Sequence, residues 1–301
     1  MPKQIYQLQL AEDGKELDIH GTPMFPCACY DIDVRRNALQ EVPWHWHEEI
    51  EVICLIHGKG TAYVDQTAYP MKEGDGLFIN TNALHSLFME EGQPCQVHSF
   101  VFSPEILYGT AGSLFEQRYV KPLLDAPARG IWLTPQIPSH KQAIRHIEEA
   151  FLAYASEEFG WEMLVRAHLS QLWVQVAASQ IRPLGEAPAT ETSDTHRLKD
   201  MLAYLNGHYQ EDINLTDLAR IAHVSERECL RCFQRTIGIP PMKYLQKLRI
   251  SKACVLLADT ATPITDISGQ CGFESPSYFS QIFRRLVGVT PKQYRQQSTL
   301  H

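Results

Sequence analysis

The fold of the second half of the chain is decided by the stretch GFESPSYFSQIFRRLVG, residues 272–288. A short turn at Gly272-Phe273 precedes Ser275, a favourable N-cap residue, and Gly288 supplies a typical end for the helix that follows. The preceding run Ile264–Cys271 predicts a short amphipathic helix. A helix, a tight turn and a second helix make a helix-turn-helix unit, whose second helix can enter the major groove of DNA.

The same order of features occurs earlier in the chain. Leu215–Ala222 predicts a helix, His223-Val224 a turn, and residues 225–236 a second helix that ends before Gly238. Between the two units, Met242–Ala258 contains no Gly or Pro and predicts a connecting helix about 26 Å long. Such a rod would set the two recognition helices, 225–236 and 275–287, about one DNA turn apart, roughly 34 Å.

These residues resemble the AraC/XylS family of transcriptional regulators from about 213 to 295. The resemblance is carried by the runs GFESPSYFSQIFRR, residues 272–285, and GVTPKQYR, residues 288–295. It implies sequence-specific binding to double-stranded promoter DNA by a cytoplasmic regulator, with RNA polymerase as a further partner. The charge agrees: residues 196–301 carry 14 Lys and Arg against 9 Asp and Glu, a net +5, whereas residues 1–195 carry 13 against 26, a net −13.

Exposed positions near the start of each recognition helix are the candidates for contact with bases, because side chains there reach into the groove. They are Arg227, Glu228 and Arg231 in the first unit and Ser277, Ser280 and Gln281 in the second. The family pattern points to Arg231 as the best base reader, since Arg can bind guanine through two hydrogen bonds. The candidates for phosphate contacts are Arg235, Arg284, Arg285, Lys292 and Arg295.

Cys229 and Cys232 form a C-x-x-C pair, a spacing also found in metal and redox sites. Both flank Phe233 on the expected core face of the helix, where a free Cys packs as a small hydrophobic residue. We therefore interpret the pair as structural. The eight cysteines of the chain favour reduced thiols over a disulfide framework.

The first hundred residues consist of short β-type runs separated by turn residues, without βαβ alternation. Glu51–Ile56 and Thr61–Val64 are predicted strands, with a turn at His57–Gly60 between them. This pattern predicts an α+β protein: an antiparallel β-barrel with a helical hairpin at about 140–182, then the all-α domain. The domain boundaries are 1–182, a linker at 183–195, and 196–301. The hairpin would cap the barrel or support a homodimer.

The run from His45 to Gly58 follows the spacing H-x-H-x3-E-x6-G and is similar to the first cupin motif. The run from Gly74 to His85 resembles the second motif, with Asn80 and Asn82 where Pro and Gly are usual. The resemblance implies a cupin-like ligand-binding domain.

Two interpretations of this site stay open. In one, a divalent ion of Mn, Fe, Ni or Zn is bound by His45, His47, Glu51 and His85, since imidazole and carboxylate suit such metals. In the other, the same residues bind a small polar effector, a sugar or another metabolite, without metal. The apolar walls of that pocket would be Trp44, Trp46 and Phe100.

Two classes of function fit these features. The first is a ligand-responsive transcription regulator with no enzymatic activity. The alternative is a metal-dependent cupin enzyme, an oxygenase or isomerase, with an accessory helical domain. Two spaced recognition helices favour the regulator, because an enzyme has no need of them. No run of about 18 uncharged apolar residues is present, so a membrane partner is not expected.

Overall fold

The computed structural model describes residues 1–3, 8–90, 92–180 and 193–298. Its contacts divide the chain into two units: Met1–Gln9 with Glu16–Glu191, and Leu10–Lys15 with Thr192–His301. Most of the predicted linker, 183–192, lies outside the described residues. Its last three residues already belong to a helix, which begins at Ser193.

The first unit is built on antiparallel strands, as predicted. In the part of the chain that the structure describes they are β1 (Cys27–Asp33), β2 (Glu41–His45), β3 (Ile50–Val64), β4 (Thr67–Lys72), β5 (Gly76–Ile79), β6 (His85–Met89), β7 (Cys95–Phe102) and β8 (Gly130–Leu133). The main path of the sheet runs β1-β7-β3-β5-β8, while β4 and β6 pair with β3, and β2 pairs with β6. Among these strands, β1 and β8 each pair with one neighbour, so the antiparallel sheet is open and does not close into a barrel.

Strand β3 is continuous through the segment predicted as a turn. The register shifts between Leu55 and His57, and Gly58 adopts a left-handed φ of +89°. A Cβ at this glycine would lie 1.8 Å from the carbonyl oxygen of Pro94. This irregularity lies where the sequence predicts a turn, and it lets one long strand pair with two groups of strands. The first half of β3 pairs with β5 and β7, and the second half pairs with β4 and β6.

A helical hairpin covers one face of the sheet, as the sequence predicts. It consists of α3 (Pro138–Ser156) and α4 (Trp161–Gln180) and follows two short helices, α1 (Glu105–Tyr108) and α2 (Lys121–Leu124). Phe78 and Phe100 of the sheet share a hydrophobic core with Ile147 and Trp173 of the hairpin. Because side chains alternate across a strand, the residues beside them in sequence face the other side of the sheet.

The second unit is all-helical among its described residues 193–298. Its helices are α5 (Ser193–His208), α6 (Leu215–Ile221), α7 (Glu226–Thr236), α8 (Pro241–Asp259), α9 (Ile264–Gln270), α10 (Pro276–Val287) and α11 (Pro291–Ser298). The hydroxyls of Ser225 and Ser275 accept hydrogen bonds from the backbone N–H groups of Glu228 and Tyr278, which makes both serines N-caps as predicted. The 19-residue helix α8 is about 28 Å long and connects the two helix-turn-helix units.

The cysteines are packing residues in this fold. All eight are free and buried. The Cys229 thiol contacts the Met201 sulfur at 3.4 Å, and burial raises the pKa of both Cys229 and Cys232 to about 11. These observations support the structural interpretation of the C-x-x-C pair. Among the helices described, none is long and apolar enough to span a membrane.

Candidate ligand-binding and DNA-contact sites

The four predicted ligand residues of the first unit come together in the structure. His45 ends β2, His47 follows it, Glu51 lies on β3 and His85 begins β6. Pairing of β2 with β6 places His45 opposite His85. All four side chains are buried, and one ligand atom from each lies within 4.8 Å of the others.

Backbone carbonyls fix the orientation of all three imidazole rings. The Nδ1 atoms of His45, His47 and His85 lie 2.8, 3.2 and 2.9 Å from the carbonyl oxygens of Pro43, Glu49 and Ala83. A carbonyl only accepts, so each Nδ1 carries the hydrogen and each neutral ring presents an Nε2 lone pair. Metal-binding histidines are commonly oriented in this way, by a hydrogen bond from the other ring nitrogen to a backbone carbonyl or a carboxylate.

The Nε2 atoms of His47 and His85 meet the carboxylate of Glu51, whereas Nε2 of His45 lies 3.7 Å from Glu16 Oε2. His85 Nε2 lies 2.8 Å from Glu51 Oε2, and His47 Nε2 lies 3.4 Å from the same oxygen. Yet the buried Nε2 of His85 has no hydrogen-bond partner of normal geometry. A ring that is neutral with its hydrogen on Nδ1 would therefore face the carboxylate as an acceptor. Either a proton or a metal ion between them relieves this repulsion.

Four residues that the sequence reasoning missed surround this cluster. The Ser99 hydroxyl donates to Glu51 Oε1 at 2.6 Å. Glu16 Oε2 lies 3.6 Å from His20 Nε2, and the His20 ring contacts the Tyr30 hydroxyl at 2.7 Å. Alternation along β7 could have indicated Ser99, but no local pattern connects Glu16 or His20 with a site on the sheet.

Burial controls the charge of these outer groups. It raises the pKa of Glu16 to about 9, with a further contribution from the negative charge of Glu51. It lowers the pKa of His20 to about 4. Both side chains are therefore uncharged at neutral pH.

The inner cluster carries a negative charge from Glu51. Burial lowers the pKa of His45 well below its usual value, and the nearby His85 lowers it further. Burial would raise the pKa of Glu51, but hydrogen bonds from the imidazoles of His47 and His85, together with their positive charge when protonated, hold it well below its usual value. Neutral imidazole beside an ionised carboxylate is the protonation state in which such groups bind metal.

Three residues of the cluster, His45, Glu51 and His85, line a cavity of about 40 Å³. The cavity is lined by Leu8, Glu16, Tyr30, Ile32, Val42, His45, Glu51, Ile53, His85, Ser86, Leu87, Val97, Ser99 and Val101. The three predicted aromatic walls are not among these residues. Phe100 faces the hairpin, because it alternates with Ser99 on β7, and Trp44 packs against Tyr63. The backbone carbonyl of Trp46 accepts from the Glu16 N–H at 2.9 Å, whereas its side chain is absent from the cavity lining.

Two of the three candidate base-contacting residues of α7, Glu228 and Arg231, form an ion pair. Arg227 is exposed. Arg231 approaches Glu228 with two guanidinium nitrogens, at 2.6 and 3.2 Å, in a pair that is exposed to solvent on the arginine side. Exposed pairs of this kind contribute little free energy, so the pair with Glu228 costs little to break.

On α10, Ser277 and Gln281 are exposed near the start of the helix. The Ser280 hydroxyl instead donates to the carbonyl of Pro276 at 2.9 Å, so it is turned toward its own helix. The sequence reasoning missed Tyr278, whose side chain is 46% exposed and whose hydroxyl accepts from Gln246 of α8 at 2.7 Å.

The five candidate phosphate-contacting residues occupy different surroundings. Arg284 and Lys292 are exposed, and so is Arg285, which lies 3.4 Å from the Gln246 amide oxygen. Arg235 forms an ion pair with Asp194 of α5.

Arg295 is half-buried, unlike the other four. It donates to the carbonyls of Leu257 and Thr262, at 3.3 and 2.7 Å. These bonds tie α11 to the end of α8 and give Arg295 a structural role.

Comparisons with known proteins agree with both halves of this description. A family model described as an AraC-like ligand binding domain matches residues 34–173, and one described as a helix-turn-helix domain matches residues 218–297. The chain is 29% identical over 290 residues to YdeC of Bacillus subtilis (strain 168), an uncharacterised HTH-type transcriptional regulator, with 95% of this chain and 97% of the relative covered.

Two further proteins are similar over all or part of the chain. The HTH-type transcriptional activator RhaS of Klebsiella pneumoniae (strain 342) is 27% identical over 287 residues, with 92% of this chain and 96% of the relative covered. The solved DNA-binding domain of AdpA, in complex with a target DNA, is 30% identical, covers 35% of this chain and 94% of that domain, and gives a TM-score of 0.34. A ligand-binding domain followed by a helix-turn-helix domain, together with relatives described as HTH-type transcriptional regulators, supports a transcriptional regulator of the AraC family and points away from an enzyme.

Proposed function

We propose that this ligand-responsive regulator reads promoter DNA with α7 and α10. The base-contacting residues are Arg227 and Arg231 in α7 and Ser277 and Gln281 in α10, and their exposure supports this assignment. The phosphate-contacting residues are Arg284, Arg285 and Lys292.

We also propose that the ligand site of the first unit holds a divalent transition-metal ion through His45, His47, Glu51 and His85. The observation that carries this proposal is the set of three Nδ1–carbonyl contacts, which leave Nε2 of each ring for a ligand, with Nε2 of His47 and of His85 beside the buried carboxylate of Glu51. Imidazole and carboxylate ligands suit Zn, Fe, Ni and Mn.

The cavity beside these residues leaves room for a small ligand in addition to the ion. A single water needs about 10–15 Å³ measured in this way, so 40 Å³ holds only a few waters or a small polar ligand beside the ion.

Elemental analysis of the full chain, purified without chelator and incubated with each of the four metals, tests the proposal. We expect about one more equivalent of metal in the wild type than in a His45→Ala/His85→Ala double variant. His57→Ala is the matched control, because His57 is an exposed histidine paired only with Glu73. Equal metal content in the wild type and a folded double variant would overturn the assignment.

We further propose a homodimer formed through α4. Its exposed positions include Leu164, Ala167, Gln171, Val174 and Ala178, which recur at alternating spacings of three and four. Leu164 and Val174 are 53% and 58% exposed. A mainly apolar stripe with this spacing is typical of helices that pack against a second helix, and the same helix of a second copy fits it. Contact with RNA polymerase and a cytoplasmic location stay predictions.

A further inference from the structure

A second cluster of metal-binding side chains lies on the helical hairpin. His146 and Glu149 occupy positions i and i+3 of α3, so they share one face of the helix, and His168 reaches them from α4. Their side chains are 15, 29 and 23% exposed. The cluster uses none of the residues that line the cavity of the first unit.

We propose that His146, Glu149 and His168 bind a zinc ion and leave one coordination position open. Glu149 Oε2 lies 3.2 Å from His146 Nδ1 and 3.3 Å from His168 Nδ1, and the two nitrogens lie 3.4 Å apart. Ligands about 2.0–2.1 Å from a tetrahedral zinc ion lie about 3.3 Å from one another. The three atoms therefore already form one triangular face of the coordination tetrahedron.

Arg145 orients the carboxylate in this cluster. Its Nε donates to Glu149 Oε1 at 2.7 Å, which leaves Oε2 directed at the two histidines. The guanidinium also holds the pKa of Glu149 below its usual value. A ligand carboxylate fixed by a hydrogen bond to its second oxygen is a regular feature of zinc sites. Partial exposure of the cluster gives water access to the fourth position, as in zinc sites that are not purely structural.

The site joins the two helices of the hairpin and lies beside the exposed stripe of α4. His168 is four residues after Leu164 and three before Gln171. A zinc ion held there would fix α3 and α4 to one another next to the proposed dimer surface.

Zinc titration of the full chain against a chromophoric chelator tests this inference. We expect His168→Gln to lose one equivalent of Zn²⁺ and His146→Gln to lose the same equivalent. His57→Gln is the matched control, because His57 also contacts a carboxylate, that of Glu73 at 3.0 Å, but belongs to a two-residue pair. This control is expected to bind as much zinc as the wild type.

Two further measurements separate this site from the cavity of the first unit. His85→Gln, which alters only the cavity, is expected to keep the zinc equivalent of the hairpin. Cobalt(II) bound to the hairpin should give the intense visible absorption of a tetrahedral site, and this absorption should vanish in His168→Gln. The inference is overturned if both hairpin variants melt cooperatively like the wild type and still bind the same number of zinc ions.

Discussion

At the scale of single residues, two arginines that look alike in the sequence have different surroundings. Arg231 is exposed on α7 and paired only within its own helix, with Glu228. Arg295 is half-buried and bonded to two backbone carbonyls. The sequence could place both near a DNA-binding surface, because helix periodicity reports exposure. It could not show the carbonyls that Arg295 reaches, because these belong to residues more than 30 positions away.

Replacement of Arg231 should alter sequence preference. We expect Arg231→Ala to lose about 1–3 kcal/mol of binding free energy at preferred sites and to relax discrimination at one base position. Selection of binding sites from random DNA, followed by gel-shift titration, measures both effects. Arg220→Ala is the control, because Arg220 forms a similar exposed pair with Asp217 on α6. An unchanged site preference for Arg231→Ala would contradict the assignment.

Replacement of Arg295 should instead reduce stability. We expect Arg295→Ala to lower the free energy of unfolding by about 2 kcal/mol, since it removes hydrogen bonds from a charged donor. Denaturant unfolding of the full chain measures this loss. The salt dependence of DNA affinity should stay unchanged, whereas Arg284→Ala should reduce its slope by about one. A reduced slope with unchanged stability would restore Arg295 to the phosphate-contacting residues.

At the scale of elements, local signals account for what the sequence predicts well. The caps Ser225 and Ser275 and the stop at Gly288 set the ends of α7 and α10 within about a residue, because capping depends on neighbours in the chain. Strand β3 was mispredicted because Gly58 and Gly60 normally indicate a turn. Here they accommodate a register shift and the close approach of Pro94, which only the pairing of distant strands reveals.

The exposed stripe of α4 gives a prediction at this scale. We expect Leu164→Glu/Val174→Glu to convert the dimer into a monomer, because two carboxylates would face the partner's apolar surface. Size-exclusion chromatography with light scattering measures the mass. Leu152→Glu is the control, because Leu152 is 67% exposed on α3. If the wild-type chain has the mass of a monomer at high concentration, the dimer proposal is wrong.

At the scale of the whole molecule, the two units differ in net charge and in the kind of site that each contains. The acidic first unit collects the ligand residues, and the basic second unit holds both helix-turn-helix units. The spacing of the sequence motifs predicts both this division and the clustering of His45, His47, Glu51 and His85. It could not predict that Glu16, His20 and Ser99 complete the site, since folding brings them together from separate parts of the chain.

Coupling between the units has a quantitative consequence. If metal binding changes DNA affinity by some factor, DNA must change metal affinity by the same factor. We expect the apparent dissociation constant for the metal, measured with and without a selected DNA site, to shift by the factor seen in gel-shift titrations with and without metal. His45→Ala/His85→Ala should abolish both shifts. If the DNA affinity is the same with and without saturating metal, the ion is structural and not regulatory.

The surroundings of Gly58 determine which residues can replace it during evolution. Any side chain there would meet the carbonyl of Pro94, which is fixed by a hydrogen bond from the Lys59 N–H, so purifying selection should remove all 19 alternatives. Gly288 shares the left-handed backbone, yet no atom lies within 4 Å of the position that its Cβ would occupy. Asn tolerates that conformation, so we expect Gly and Asn to replace one another at residue 288 but not at residue 58.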